Sequence, residues 1–215
     1  MLIYLQRMKG DYMQDKVSKI IEVRNRIEKD ASLRGIPIVK PEVGQLLTVL
    51  TRAAKAKRVL EIGTAVGYST LWFAEAICDL DGQIITIEKD EERAKEAKEN
   101  FYSAGINEMV VLYNNDAAEI LSGLNMEFDC IFLDAAKGKY IEYLPFCLKL
   151  LNQGGLLLAD NVFFRGMVCA EAEPPKRYKT LVRKLRLFLE EIRNHNQLIT
   201  TVLDLGDGLA ISVRR

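Results

Sequence analysis

Histidine is nearly absent from this sequence: His195 is the only one in 215 residues. That argues against a zinc centre, which would need imidazole or thiolate ligands. Four cysteines are present (Cys78, Cys130, Cys147, Cys169), but none forms a Cys-x-x-Cys pair. Cys130 and Cys147 lie in apolar stretches, so the expectation is reduced thiols in a cytoplasmic protein rather than a disulfide framework. Net charge is missing as well. Thirty acidic residues offset thirty basic ones, leaving no overall field to draw the chain onto nucleic acid or membrane. No apolar run is long enough to cross a bilayer. The opening MLIYLQRMKGDYMQ places a short apolar run before its basic residues, the reverse of a secretory signal. A soluble protein with no membrane partner is expected. Internal repeats and low-complexity segments are also lacking.

At 49% hydrophobic and 28% charged, the composition suits one globular domain with a sizeable core. Residues 15–32 carry apolar side chains at helical spacing, at Val17, Ile20, Ile21, Val23 and Ile27. The two prolines of GIPIVKP, residues 35–41, mark a linker, and a second helix is expected from Pro41 to about Lys55. Strand and helix then alternate. β-rich runs at 58–62, 83–88, 109–113, 129–133 and 155–159 are separated by helical stretches at 68–78, 90–104, 116–122 and 139–150. Asp90 opens one of these helices, with Glu91 and Glu92 in its first turn. Alternation of this kind predicts an α/β fold with a parallel sheet and helices on both faces. After a helix at 176–194, QLITTVL and LAISV flank DLGDG, the pattern of a hairpin that adds two antiparallel strands. The whole chain, 1–215, is expected to be one domain, with residues 1–55 as a helical cap on a core of 56–215.

The chemistry-bearing residues sit where the predicted strands end. In an open parallel sheet those ends share one crevice. The first strand runs into Gly63-Thr-Ala-Val-Gly67, a turn whose glycines let backbone approach a ligand. Position 65 is alanine, so the dinucleotide fingerprint G-x-G-x-x-G is incomplete, which disfavours a nicotinamide oxidoreductase. Glu88 ends the second strand, 25 residues after Gly63 (88 − 63). It is placed to accept hydrogen bonds from ribose hydroxyls. Asp116, after the third strand, either receives an adenine amino group or simply caps the next helix. Asp134 ends the fourth strand, and Asp160-Asn161 end the fifth. Each aspartate alone reads as a cap or turn residue. Together they form an oxygen-only donor set suited to Mg²⁺, Mn²⁺ or Ca²⁺. Lys137, three residues after Asp134, is a surface lysine or a general base. A nearby cation and partial burial would both favour its neutral, proton-accepting form.

The pieces EIGTAVGYS (61–69), LDAAKGKY (133–140) and ADNVFFRGMV (159–168) together resemble the cation-dependent, S-adenosylmethionine-dependent O-methyltransferases, a family that includes catechol and caffeoyl-CoA methyltransferases. The resemblance runs from about Ile36 to the C-terminus. It implies a Rossmann-like class I methyltransferase with a mostly parallel seven-stranded sheet and a C-terminal antiparallel hairpin. It implies metal ligation by Asp134, Asp160 and Asn161, with Lys137 catalytic beside Asp134. The implied cofactor contacts are Val39, Glu61, Gly63, Tyr68, Ser69, Glu88, Asp116, Ala117 and Asp134. Lys40 departs from many bacterial relatives, which have an acidic residue there. The implied cofactors are S-adenosylmethionine and Mg²⁺ (or Mn²⁺/Ca²⁺), and a homodimer is expected.

DNVFFRGMV and LGDGLAIS further resemble a bacterial branch that methylates the 5-hydroxyl of 5-hydroxyuridine in tRNA. A tRNA acceptor is therefore the leading expectation, with a small catechol-like phenol as the alternative and a non-catalytic RNA-binding module as the alternative of another class. Two segments bear on this choice. Phe163, Phe164 and Met167 either wall an acceptor pocket or serve as core residues of a loop. Residues 176–193 carry seven Lys or Arg against Glu190 and Glu191, a net of +5 (7 − 2). They either contact phosphates or form the solvated face of an amphipathic helix whose core side is Leu181, Leu185, Phe188 and Ile192. Trp72 is expected in the core, and His195 at a helix end.

Overall fold

A computed structural model describes the backbone of residues 2–215 and the side chains of residues 13–215. Its centre is a seven-stranded sheet formed by β1 (Arg58–Ile62), β2 (Gln83–Glu88), β3 (Val110–Asn114), β4 (Phe128–Leu133), β5 (Leu151–Ala159), β6 (Leu198–Leu203) and β7 (Leu209–Arg214). The spatial order is β3-β2-β1-β4-β5-β7-β6. β1 to β5 pair in parallel, while β7 runs antiparallel to both β5 and β6. The chain order reverses between β1 and β4, and the crevice at such a switch point is where open α/β sheets bind ligands.

The central strands are apolar because both faces are covered. β1 is buried along all but its first residue. On one face pack α1 (Leu2–Arg34), α2 (Pro41–Ala53), α3 (Tyr68–Ile77) and α4 (Glu91–Ser103), around Leu47, Leu71, Phe73 and Phe132. On the other pack α5 (Ala117–Gly123), α6 (Tyr140–Leu150) and α7 (Lys179–Asn194), around Leu133, Tyr140, Leu185 and Phe188. Trp72, expected in the core, is buried there, with the Arg24 guanidinium 3.4 Å above its ring. Gly44 is what lets α2 approach α3, since a Cβ at this position would lie 2.2 Å from Trp72 Nε1.

Two elements are longer than expected. α1 begins at Leu2 rather than at residue 15. β5 begins at Leu151 rather than at 155. Asn152-Gln153-Gly154-Gly155 reads as a turn, but an irregularity in the register between Phe128 and Cys130 carries the pairing through it. The hairpin expectation for 197–213 is met by β6 and β7. Cys130 and Cys147 are buried free thiols. No helix among the described residues is long and apolar enough to cross a membrane.

Candidate active site

A cavity of about 520 Å³ opens at the carboxyl ends of β1, β2, β4 and β5. Its floor is the β1–α3 turn. Gly63 adopts φ 104°, and a Cβ there would lie 2.3 Å from the Asp134 carbonyl oxygen. Only glycine lets this turn lie against the exit of β4. Ala65 is held left-handed at φ 46° by Glu88, whose Oε2 accepts from Ala65 N at 2.8 Å while Oε1 accepts from Asp90 N at 2.9 Å. Asn100 Nδ2 donates to the Val66 carbonyl at 2.9 Å, completing the frame of the turn.

Of the residues singled out in the sequence, Val39, Gly63, Tyr68, Ser69, Glu88, Asp116, Ala117, Asp134, Lys137 and Asn161 all line this cavity. Glu61 and Asp160 do not. Glu61 is fully buried beneath the turn, where its Oε2 accepts from Thr70 Oγ1 at 2.5 Å and Thr86 Oγ1 at 2.6 Å. Its Oε1 has no hydrogen-bond partner among the described residues. Burial pushes the Glu61 carboxyl up to about 7, against the pull of the neighbouring hydroxyls. Asp116 is the N-cap of α5, its Oδ1 accepting from Ala118 N at 2.9 Å. It also lines the cavity. Tyr68 reaches back to the cap, its hydroxyl donating to Glu28 Oε2 of α1 at 2.9 Å.

The opposite wall brings acidic side chains close together. Leu133 and Ala159 pair in register, and Asp160 N donates to Leu133 O at 3.0 Å. The aspartates that follow β4 and β5 are therefore neighbours. Tyr140 shares its hydroxyl between the carbonyls of Leu133 (2.9 Å) and Asp160 (3.1 Å), tying both strand ends together. Lys137 Nζ lies 2.5 Å from Asp134 Oδ1, in a short 3₁₀ turn at Lys137–Lys139. Asp160 is 1% exposed. Burial and the nearby Asp134 charge push its carboxyl up to about 7, and its Oδ1 accepts from Asn161 N at 2.8 Å. Asn161 itself is left-handed, at φ 55°.

No cluster of three or more His, Cys, Asp and Glu side chains suited to a metal occurs among the described residues. The donor set here is two carboxylates and one amide. Two neighbouring carboxylates with one ammonium near them, beside an amide oxygen, fit a hard divalent cation.

Sequence reading overlooked Arg93 and Tyr143, which also line the cavity. Arg93 lies one turn into the helix that follows Glu88, and that offset was the available signal. Phe163, Phe164 and Met167 are not in the lining. They pack partly buried against the core, with the rings of Phe164 and Tyr178 5.3 Å apart. Three of the seven basic residues in 176–193 are committed within the molecule. Lys179 pairs with Glu173 and Lys184 with Glu142, while Arg186 donates to the carbonyls of Met167, Val168 and Ala170. His195 caps the end of α7, its Nδ1 accepting from Gln197 N at 3.3 Å.

Comparison with known proteins agrees with this architecture. A family model described as O-methyltransferase matches residues 14–215. A catechol O-methyltransferase from Niastella koreensis is 35% identical over 186 residues, 81% of each chain. A caffeoyl-CoA O-methyltransferase from Populus kitakamiensis is 30% identical, covering 87% of this chain and 82% of its own. The crystal structure of the Bacillus cereus O-methyltransferase in complex with SAH superposes with a TM-score of 0.80 at 28% identity, covering 90% of this chain and 91% of that one. The chain belongs to the O-methyltransferase family.

Proposed function

We propose that this protein transfers a methyl group from S-adenosylmethionine to one of two adjacent oxygens on a small catechol-like acceptor, with a divalent cation held by Asp134, Asp160 and Asn161. One observation carries this reading: the glycine turn, Glu88, Asp134, Lys137 and Asn161 line one cavity at the sheet's switch point, with the buried Asp160 next to Asp134 and Asn161. The SAH complex of the Bacillus cereus relative and the catechol activity named for the Niastella relative support it.

S-adenosylmethionine, when bound, supplies an electrophilic sulfonium methyl, whose bond to sulfur breaks as a bond to the acceptor oxygen forms. A divalent cation would make the acceptor hydroxyl more acidic and fix both oxygens in place. The remaining work falls to the chain. Gly63 and Ala65 present backbone to the cofactor, and Glu88 accepts from its ribose hydroxyls. Asp134 cannot serve an ammonium and a cation equally. On taking up a cation it would release Lys137 Nζ toward the acceptor hydroxyl, where the side chain is placed to act as general base once its own proton has passed to solvent. Tyr140 keeps the two strand ends at one spacing, so orientation is fixed before substrate arrives.

A 5-hydroxyuridine in tRNA offers a similar pair of oxygens, its 5-hydroxyl and 4-carbonyl. The basic segment lends that acceptor less support than its composition suggests, because Lys179, Lys184 and Arg186 already have partners within the molecule. The discriminating experiment supplies labelled S-adenosylmethionine with Mg²⁺ or excess EDTA, and either a catechol panel or tRNA lacking the methyl group. Label on catechol that disappears in EDTA is the expected result. Label on tRNA alone transfers the reading to the polynucleotide, and undiminished turnover in EDTA removes the cation from it.

A further inference from the structure

Asn161 opens a loop of unusual backbone. Asn161, Phe164 and Arg165 all lie in the left-handed region, at φ 55°, 45° and 58°, and none of them is glycine. Such backbone persists only where surrounding contacts determine it. Here the contacts come from two elements outside the loop. In the β6–β7 turn, both carboxylate oxygens of Asp207 accept from Arg165 N at 2.8 Å. The Asp207 and Gly208 carbonyls accept from Phe163 N at 2.9 Å and Val162 N at 3.0 Å. From α7, Arg186 Nε donates to Val168 O at 3.0 Å. Its Nη2 donates to Ala170 O at 2.9 Å and Met167 O at 3.3 Å.

We propose that Asp207 and Arg186 are positioning residues. Between them they clamp the two halves of loop 161–170 and so hold Asn161 at the cavity. The inference rests on the functional reading above in giving Asn161 a role, but the clamp itself does not depend on it. It also assigns Arg186 a task other than phosphate binding. A planar guanidinium presents five donors spread over a fixed fork, a geometry that the three donors on one ammonium nitrogen do not reproduce.

The test uses the full-length protein and its Arg186→Ala, Arg186→Lys and Asp207→Asn variants. Hydrogen exchange is followed peptide by peptide, and KM is measured for catechol and for S-adenosylmethionine. Arg186→Ala is expected to speed exchange in 161–170 by about tenfold while β1–β3 stay unchanged. Its KM for catechol should rise about tenfold, with that for S-adenosylmethionine within about twofold. Lysine should restore only part of this, and Asp207→Asn, which keeps one acceptor, should give a smaller change of the same kind. Unaltered exchange in 161–170, an equal rise throughout the chain, full rescue by lysine, or equal rises in both KM values would overturn the clamp. If wild-type protein turns over neither catechol nor tRNA, the functional reading fails while the exchange measurement still decides the clamp.

Discussion

At the ends of β1, β2 and β3, acidic side chains terminate in backbone amides. Glu88 accepts from Ala65 and Asp90, and Asp116 accepts from Ala118. At the ends of β4 and β5, acids face each other instead. Asp160 is buried beside Asp134, and Lys137 is the one ammonium bonded to the pair. The first wall has its carboxylates tied to backbone amides and presents them to the cavity as hydrogen-bond acceptors. The second has an excess of negative charge that a cation would relieve. One cavity thus divides its work between a preorganised surface and an electrostatically unfinished one.

The sharpest way to break that contrast is Asp160→Ala. Methyl transfer should fall by about three orders of magnitude, and excess EDTA should do the same to wild-type protein. Calorimetric affinity for S-adenosylmethionine should barely move. If cofactor affinity collapses together with turnover, the two walls are not separate devices.

Glu61 probes the opposite wall from below, where burial rather than a neighbouring charge raises an acid. The unfolded chain releases this proton near 4.5, whereas the folded protein keeps it up to about 7. Between those values the folded state binds more protons than the unfolded one. The stability this group contributes is therefore complete below 4.5 and is lost as pH rises through 7, by about 3 kcal/mol in total. Glu61→Gln should flatten urea-derived stability between pH 5 and 9 and be more stable than wild type at the alkaline end. An unchanged slope would mean that the carboxyl is already ionised in the fold.

A smaller effect is expected from Glu88→Ala. If Glu88 accepts from the ribose hydroxyls as proposed, its loss should raise the Kd for S-adenosylmethionine about tenfold to a hundredfold. The EDTA sensitivity of turnover should stay as in wild type, because this residue lies on the other wall.

Much of this arrangement was legible because strand ends carry their chemistry in sequence. Hydrophobic runs located β1 to β5 to within a residue or so, apart from the start of β5, and the cavity is lined by residues at or within three positions of the end of each run. Turn chemistry in DLGDG found the β6–β7 hairpin. What escaped depends on contacts distant in the chain. Asp207 read as a turn residue, yet its carboxylate holds Arg165, 42 residues away. Arg186 read as one charge among seven on a basic helix, yet it binds three carbonyls of the loop after Asn161. Glu61 was expected as a cofactor contact, and its depth was not legible, because alternation in a strand covered on both faces carries no inward or outward signal. The start of β5 was obscured by glycines whose local preference the sheet overrides.

Asp116 offers the finest test, because there the two walls' principles meet in one side chain. Its Oδ1 is already engaged as the cap of α5, accepting from Ala118 N, while the residue also borders the cavity. Asparagine caps helices as well as aspartate does, so Asp116→Asn should leave stability unchanged to within about 0.5 kcal/mol. If the second carboxylate oxygen receives an amino group of the cofactor, replacing it by an amide donor should weaken S-adenosylmethionine about threefold to tenfold. Asp116→Ala should weaken binding similarly and in addition cost about 1 kcal/mol of stability through the lost cap. Unchanged affinity in the asparagine variant would leave Asp116 only its cap. The first wall would then recognise the cofactor through Glu88 and the glycine turn, with the third strand supplying shape and no specific contact from this side chain.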